Sequence, residues 1–206
     1  MRTRVHYGDD QTLRHHGGGS GTSGTIELTR RQGASVDITV VEHPLARHYL
    51  TILRDKDTAP ETFRETTRRL CYLLLTEATA RTPLAEGTVT TPLADTPGYR
   101  LAHQMVAVPV LRAGLGLLDA VLDLLPDVKV GYAGVARDEE TALPQEYSYM
   151  IPDLSDSQVL ILEPMLATGG SLSWALEKVK GSGATDITAI GVVAAPDGVK
   201  RSNNVP

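Results

Sequence analysis

Residues 158–175 read Q-V-L-I-L-E-P-M-L-A-T-G-G-S-L-S-W-A, a stretch that joins three kinds of local structure. The four apolar residues at 159–162 form a continuous run, which predicts a short strand buried on both faces. An acid, Glu163, stands where that strand ends, and small or hydroxylated residues follow at 167–171. Apolar residues at helical spacing begin at Leu172. The predicted order is therefore strand, acid, small loop and helix.

The loop at residues 167–171 has the chemistry of a phosphate-binding site. Its glycines let the backbone approach a ligand closely, Thr168 and Ser171 offer hydroxyls, and the helix N-terminus adds partial positive charge. Glu163 can accept hydrogen bonds from sugar hydroxyls, which suits a ribose 5-phosphate. A Walker-type loop is excluded, because the sequence contains no Gly-Lys-Ser or Gly-Lys-Thr. The alternative interpretation is an ordinary strand-to-helix turn whose glycines serve geometry alone.

A second loop, R-A-G-L-G at residues 112–116, also follows a predicted strand and opens a helix. The third glycine of a dinucleotide fingerprint would fall at Asp119, so that fingerprint fails. An arginine before glycines at a strand end suits a pyrophosphate, which a guanidinium matches with two parallel hydrogen bonds. The alternative for Arg112 is a surface arginine that caps the turn.

Strands alternate with helices from residue 105 onward, which predicts a mostly parallel central sheet flanked by helices, with ligands at the carboxyl ends of the strands. The predicted strands there are 105–111, 128–135, 158–162 and 187–195, and the predicted helices are 117–125 and 172–180. Upstream, the pattern predicts a strand at 36–40, a helix from His43, a helix at 62–80 that buries Cys71, and a surface hairpin within 82–99.

The N-terminal residues 1–34 carry little apolar periodicity and include H-H-G-G-G-S-G at 15–21. Such a segment buries too little surface to offset its ordering entropy. We predict a flexible extension at 1–34 and one domain at 35–206. The two adjacent histidines lack an evident third ligand, so no metal site is predicted from protein side chains.

Composition excludes several classes of protein. The chain has 206 residues and a net charge of −5, which offers no general attraction to nucleic acid. A single cysteine rules out a disulfide framework and fits a reducing cytoplasm. No apolar run approaches membrane-spanning length. We expect a soluble, cytoplasmic protein with neither nucleic-acid nor membrane partners.

Three motifs resemble those of one enzyme family. The stretch E-P-M-L-A-T-G-G-S at 163–171 resembles the loop with which type I phosphoribosyltransferases hold the ribose and 5′-phosphate of phosphoribosyl diphosphate (PRPP). The form with proline after the acid resembles the loop of the uracil phosphoribosyltransferase branch. P-V-L-R-A-G-L-G at 109–116 resembles that branch's pyrophosphate loop, and R-D-E-E-T at 137–141 the start of its mobile flap. H-P-L and L-T-I-L-R-D-K-D-T, within 43–58, are similar to its N-terminal region.

The resemblance implies a type I phosphoribosyltransferase fold and the conversion of uracil and PRPP to UMP and diphosphate in pyrimidine salvage. It implies catalytic roles for Glu163 and Arg137, Mg²⁺ bound with PRPP, a homo-oligomer and GTP as a possible effector. The implied PRPP-binding residues are Arg112, Arg137, Glu163, Pro164, Met165, Leu166, Ala167, Thr168, Gly169, Gly170 and Ser171.

The sequence departs from the family at two places. Glu163 replaces the usual aspartate, and the added methylene moves the carboxylate by ~1.5 Å. Family members continue beyond the strand that ends in A-A-P-D/E-G into a segment that contacts uracil, so we expect no uracil-binding residue in this chain and an exposed sheet edge at 187–195. Two alternatives remain open: a phosphoribosyltransferase for another base, or a non-catalytic regulator that binds PRPP or a nucleotide.

Overall fold

The structure is a computed structural model that describes residues 2–8, 37–137 and 144–202. Its helices are α1 (Pro44–Arg54), α2 (Pro60–Thr79), α3 (Leu115–Leu124), α4 (Gly170–Gly181) and α5 (Pro196–Ser202). Its strands are β1 (Arg2–Gly8), β2 (Asp37–Val41), β3 (Leu84–Thr90), β4 (Asp95–Leu101), β5 (Gln104–Leu111), β6 (Lys129–Val130), β7 (Tyr132–Arg137), β8 (Pro144–Met150), β9 (Ser157–Leu162), β10 (Met165–Leu166), β11 (Asp186–Gly191) and β12 (Val193–Ala194).

The main sheet has the strand order β2-β1-β11-β9-β5-β7-β8, with β6 also paired to β5. Every pairing in it is parallel except the one between β7 and β8. In the centre, Leu162 of β9 lies opposite Ile190 of β11 and Pro109 of β5. The predicted α/β fold with a mostly parallel sheet is therefore confirmed, and the carboxyl ends of β5, β7, β9 and β11 meet at one edge.

Strand β9 is buried along its whole length, and its apolar run predicts this for residues 159–162 but not for the polar Ser157 and Gln158. Val159 and Ile161 belong to a cluster on the face covered by α4. Leu160 and Leu162 belong to a second cluster on the opposite face, which α1, α2 and α3 cover. Since successive side chains of a strand point to opposite faces, a strand segment covered by helices on both sides is apolar on both faces, as residues 159–162 are.

Cys71 lies in α2 within the second of these clusters and is fully buried. Its Sγ lies 3.5 Å from the carbonyl oxygen of Leu117, to which the thiol donates. Burial raises the pKa of this thiol to about 12, so it stays protonated at neutral pH. Cys71 is a core residue, as the helical pattern indicates.

The predicted flexible extension differs from the structure at its start. Residues Arg2–Gly8 form β1, which pairs in parallel with β11 on one side and β2 on the other. Residues 9–34 of the predicted extension lie outside the described residues. The prediction overlooked an alternating pattern, in which Thr3, Val5 and Tyr7 favour a strand and are separated by charged residues or histidine.

The end of the described chain also differs from the prediction. The predicted strand at 187–195 is divided into β11 and the short β12, and β12 pairs with β10. Strand β11 is not at a sheet edge, because it lies between β9 and β1. Helix α5 follows at Pro196–Ser202, where the sequence analysis predicts no element. Pro196 and Asp197 are typical of a helix N-terminus, a signal that the sequence interpretation missed.

The surface excursion predicted within 82–99 is confirmed as an antiparallel hairpin of β3 and β4. Its side chains are almost all exposed. The predicted strand at 128–135 is broken at Gly131, whose N–H donates to the carbonyl of Ala107 over 2.9 Å. In the described part of the chain, no helix combines the length and apolar character that crossing a membrane requires.

Candidate active site

The predicted phosphate loop forms a small cavity at the carboxyl edge of the sheet. The cavity has a volume of about 210 Å³. Its lining residues are Ala136, Glu163, Met165, Leu166, Ala167, Thr168, Gly169, Gly170, Ser171, Leu172 and Arg201. We call this cavity the cradle. Of the predicted PRPP-binding residues, the seven at 165–171 and Glu163 line it, whereas Pro164 lines a larger cavity described below.

The backbone of the cradle loop is fixed by hydrogen bonds to the segment after β11. The carbonyl of Pro164 accepts from the N–H groups of Val192 and Val193, over 2.9 and 3.1 Å. The carbonyl of Leu166 accepts from the N–H of Ala195 over 2.7 Å. These bonds extend the pairing of β10 with β12. The loop is thereby held in place before any ligand binds, which lowers the entropy cost of binding.

Gly169 turns the chain from the loop into α4 with a left-handed backbone, φ +77°. A Cβ atom at this position would lie 2.7 Å from the carbonyl oxygen of Gly198 and 3.2 Å from Cβ of Arg201, both in α5. Glycine is required here for two reasons, the backbone angle and the close approach of α5.

Helix α4 points its N-terminus into the cradle. The N–H groups of its first residues, Gly170, Ser171 and Leu172, have no carbonyl partner within a helix of this geometry. The first intrahelical bond runs from the N–H of Ser173 to the carbonyl of Gly169, over 2.9 Å. No acidic residue occupies the first turn. The free N–H groups and the helix dipole together favour an anion at this position.

Glu163 follows the end of β9 and is half-buried in the wall of the cradle. Burial raises the pKa of Glu163 from 4.5 to about 7, while the Met165 N–H that donates to its carboxylate acts in the opposite direction. Its own N–H donates to the carbonyl of Ile190 over 3.0 Å. The side chain is therefore a partly desolvated acceptor whose charge changes near neutral pH.

Arg112 lies at the end of β5, the strand beside β9, and its side chain is exposed. The peptide bond between Leu111 and Arg112 is cis. The turn packs so closely onto the sheet that a Cβ atom on Gly114 would lie 2.6 and 2.7 Å from the backbone N and O of Val110. Arg112 thus reaches the predicted edge of the sheet, although it does not line the cradle.

Arg137 is the last residue of β7 and lies opposite Pro144 of β8. Its neighbour Ala136 lines the cradle, so the end of β7 reaches the same site. For Arg137 the structure describes the backbone alone, and the predicted flap residues 138–141 lie outside the described part of the chain.

A larger cavity, of about 1100 Å³, adjoins the cradle. Ala113 and Gly116 of the Arg112 turn line it, together with Leu53 of α1 and Phe63 of α2. Met165 lines both cavities. The Arg112 turn therefore faces the larger cavity, and the phosphate loop faces the cradle. The segment around Met165 separates these two neighbouring cavities.

Sequence reasoning missed Arg201, which lines the cradle from α5. No local pattern in the sequence indicates that the chain turns back over the loop at this residue. The nearest usable signal was Gly198, where a Cβ atom would lie 2.8 Å from the carbonyl oxygen of Ala167. Two glycines, one in each segment, allow this contact.

Comparison with known proteins decides the family. The family model described as uracil phosphoribosyltransferase matches residues 40–205. The chain belongs to this family. It is 47% identical over 163 residues to the uracil phosphoribosyltransferase of Fervidobacterium nodosum, covering 78% of this chain and 79% of that protein. The uracil phosphoribosyltransferase of Streptomyces avermitilis is also 47% identical over 163 residues, with 78% and 77% covered.

Among solved structures, the AQ2163 protein of Aquifex aeolicus is similar over 78% of both chains, with 37% identity and a TM-score of 0.74. These comparisons confirm the membership in the uracil phosphoribosyltransferase family that the motifs indicated. The family match includes the cradle, the Arg112 turn and α5, but begins after β1. Strand β1 therefore belongs to the same sheet but lies outside the residues that the family model matches.

Proposed function

We propose that this chain is a uracil phosphoribosyltransferase, which converts uracil and PRPP to UMP and diphosphate in pyrimidine salvage. The observation that carries the proposal is the cradle, where Glu163 and residues 165–171 converge at the N-terminus of α4. In the reaction, the bond between ribose C1 and the diphosphate oxygen breaks. A bond from C1 to a uracil nitrogen forms, and that nitrogen loses its proton.

The cradle binds the 5′-phosphate of PRPP. The N–H groups at the start of α4 and the hydroxyls of Thr168 and Ser171 donate to its oxygens. This phosphate lies far from the breaking bond, so its binding energy holds the ribose in the reactive position. The loop is already fixed by its bonds to residues 192–195, so little of that energy goes into ordering the protein.

Glu163 accepts hydrogen bonds from the ribose hydroxyls. It does so as the carboxylate, because the ionised group is an acceptor only, whereas the protonated acid also donates. Its carboxylate also favours the positive charge that develops on the ribose as diphosphate departs. Since its pKa is about 7, binding of the hydroxyls should be stronger above neutral pH than below it.

Arg112 and Arg137 stabilise the charge that accumulates on the departing diphosphate. Mg²⁺ bound with PRPP would neutralise part of the diphosphate charge, while Arg112 and Arg137 would contact that group from the protein. Within the described residues, no group of three or more His, Cys, Asp or Glu side chains could hold a metal ion.

The remaining parts of the proposal rest on the resemblance of the motifs to the family. Residues 35–206 form the catalytic domain, with β1 as an added strand. We propose a cytoplasmic enzyme that acts as a homo-oligomer, with GTP as a candidate effector and without nucleic-acid or membrane partners.

The proposal is tested by measuring UMP formation and PRPP affinity in paired hydroxyl variants. Thr168→Val and Ser171→Ala each remove a cradle hydroxyl and should weaken PRPP binding several-fold. Ser173→Ala is the matched control, since Ser173 lies in the same helical turn but outside the cradle, and its hydroxyl has no hydrogen-bond partner among the described residues.

Equal PRPP affinity in all three variants would contradict the phosphate assignment. Activity is then measured with a panel of pyrimidine and purine bases. Turnover of another base but not uracil would favour a different phosphoribosyltransferase. PRPP binding without turnover of any base would favour a regulator.

A further inference from the structure

Arg201 contributes the positive charge of the cradle. Among the described residues that line this cavity, it is the only lysine or arginine. The other donors are backbone N–H groups and two hydroxyls, all of them neutral. A phosphate monoester carries a charge of about −1.5 to −2 at neutral pH. Neutral donors alone would leave most of that charge without a counter-charge in the cavity.

The position of Arg201 is set by a close contact between two segments. Helix α5 lies against the cradle loop because Gly198 and Gly169 both lack a side chain. A Cβ atom on Gly198 would lie 2.8 Å from the carbonyl oxygen of Ala167 and 2.9 Å from that of Leu166. A Cβ atom on Gly169 would lie 3.2 Å from Cβ of Arg201. The Arg201 side chain therefore starts at the rim of the cradle, directly beside the turn into α4.

The guanidinium of Arg201 is available to a ligand. The side chain is exposed, and it forms no hydrogen bond or ion pair with another residue in the described parts of the chain. A guanidinium is always charged and presents two parallel N–H donors that match two phosphate oxygens.

We propose that Arg201 binds the 5′-phosphate and closes the cradle on the α5 side. This inference rests on the proposed function, since it takes the cradle ligand to be a ribose 5-phosphate. It predicts that Arg201 contributes equally to PRPP and UMP, because both carry this phosphate. Arg112, by contrast, would contribute to PRPP alone.

The test compares Arg201→Met, Arg201→Lys and wild type for PRPP and UMP affinity by calorimetry at low and high salt. Methionine keeps the apolar stem and removes the charge, and it should weaken both ligands about tenfold at low salt. Lysine keeps the charge without the paired donors and should restore part of the loss. The salt dependence of UMP binding should become shallower in Arg201→Met.

Arg81→Ala is the charge-matched control, because Arg81 is exposed after α2 and lines neither cavity. Thermal unfolding of each variant checks that the fold is retained. Unchanged affinity of Arg201→Met for both ligands overturns the assignment, as does a loss confined to PRPP, which would place Arg201 at the diphosphate. If wild type binds neither PRPP nor UMP, the proposed function itself is wrong.

Discussion

Replacing Gly169 with alanine should lower the stability of the protein and its affinity for PRPP together. The substitution adds one methyl group at the junction of the cradle loop, α4 and α5. It acts on the backbone, which has φ +77° at this position, and on the contact with Gly198 of the neighbouring helix.

The expected loss has two parts. A left-handed backbone costs a residue with a Cβ atom about 1–2 kcal/mol relative to glycine. The new Cβ would lie 2.7 Å from the Gly198 carbonyl oxygen. Relieving such overpacking typically costs about 1–3 kcal/mol. The sum is about 2–5 kcal/mol, which lowers the Tm of a domain of this size by roughly 4–20 °C.

Two further glycines separate these contributions. Gly198→Ala creates the clash between α5 and the loop without the left-handed strain, so its loss should be smaller. Gly181→Ala lies at the other end of α4, where a Cβ would meet nothing within 4 Å. It should stabilise the protein by about 0.5 kcal/mol, because alanine favours the helix over glycine.

The assay is urea unfolding of the three variants, combined with PRPP affinity measured by calorimetry. Gly169→Ala should be the least stable and should bind PRPP more weakly than Gly181→Ala. A Gly169→Ala protein as stable as wild type, with the same PRPP affinity, would refute the reasoning about both the backbone and the contact with α5.

Three other outcomes are expected. For Glu163, whose pKa is raised, the folded state binds a proton more tightly than the unfolded chain. The free energy of unfolding should therefore fall as pH rises from about 4.5 to about 7, whereas kcat/KM should rise through pH 7. Both are measured as a function of pH in wild type and in Glu163→Gln. Identical pH profiles in the two proteins would contradict this prediction. Arg112→Ala should weaken PRPP about tenfold and leave UMP affinity unchanged, as checked by calorimetry, and equal losses would indicate a structural role. Deleting residues 1–8 removes β1 and exposes one edge of β11. Unfolding and light scattering should then show lower stability and more association, and an unchanged protein would restore the interpretation of a flexible extension.

The centre of the fold could be predicted from sequence because its signals are local. The apolar run at 159–162 indicates burial on both faces, and the structure divides those four residues between two clusters on opposite sides of the sheet. The acid, the glycines and the hydroxyls that follow form one continuous stretch. Their convergence in the cradle needed no information from distant parts of the chain.

The parts that sequence did not predict depend on contacts between distant segments. Strand β1 is stabilised by β11, more than 170 residues away along the chain. Pairing of that kind leaves little local signal beyond a short alternation. Helix α5 has only seven residues, too few to be stable in isolation. It is held by its contact with the cradle loop, so its place and that of Arg201 required the three-dimensional structure.

Helix α4 contacts the cradle loop and α5 at its N-terminus and strand β8 in its C-terminal half. In β8, Tyr149 donates to the Lys178 carbonyl over 2.9 Å. Lys178 Nζ also lies 2.6 Å from a carboxylate oxygen of Glu146.

Glu146 lies opposite Val135 of β7, two residues before Arg137. A displacement of α4 would therefore affect the backbone of the Arg137 strand as well as the phosphate cradle. In the proposed reaction, the cradle would hold the 5′-phosphate and Arg137 would contact the departing diphosphate, so α4 would connect the two binding places. Since catalysis depends on the geometry in which a substrate is held, the proposed function predicts a positioning role for the contacts of α4 with β8.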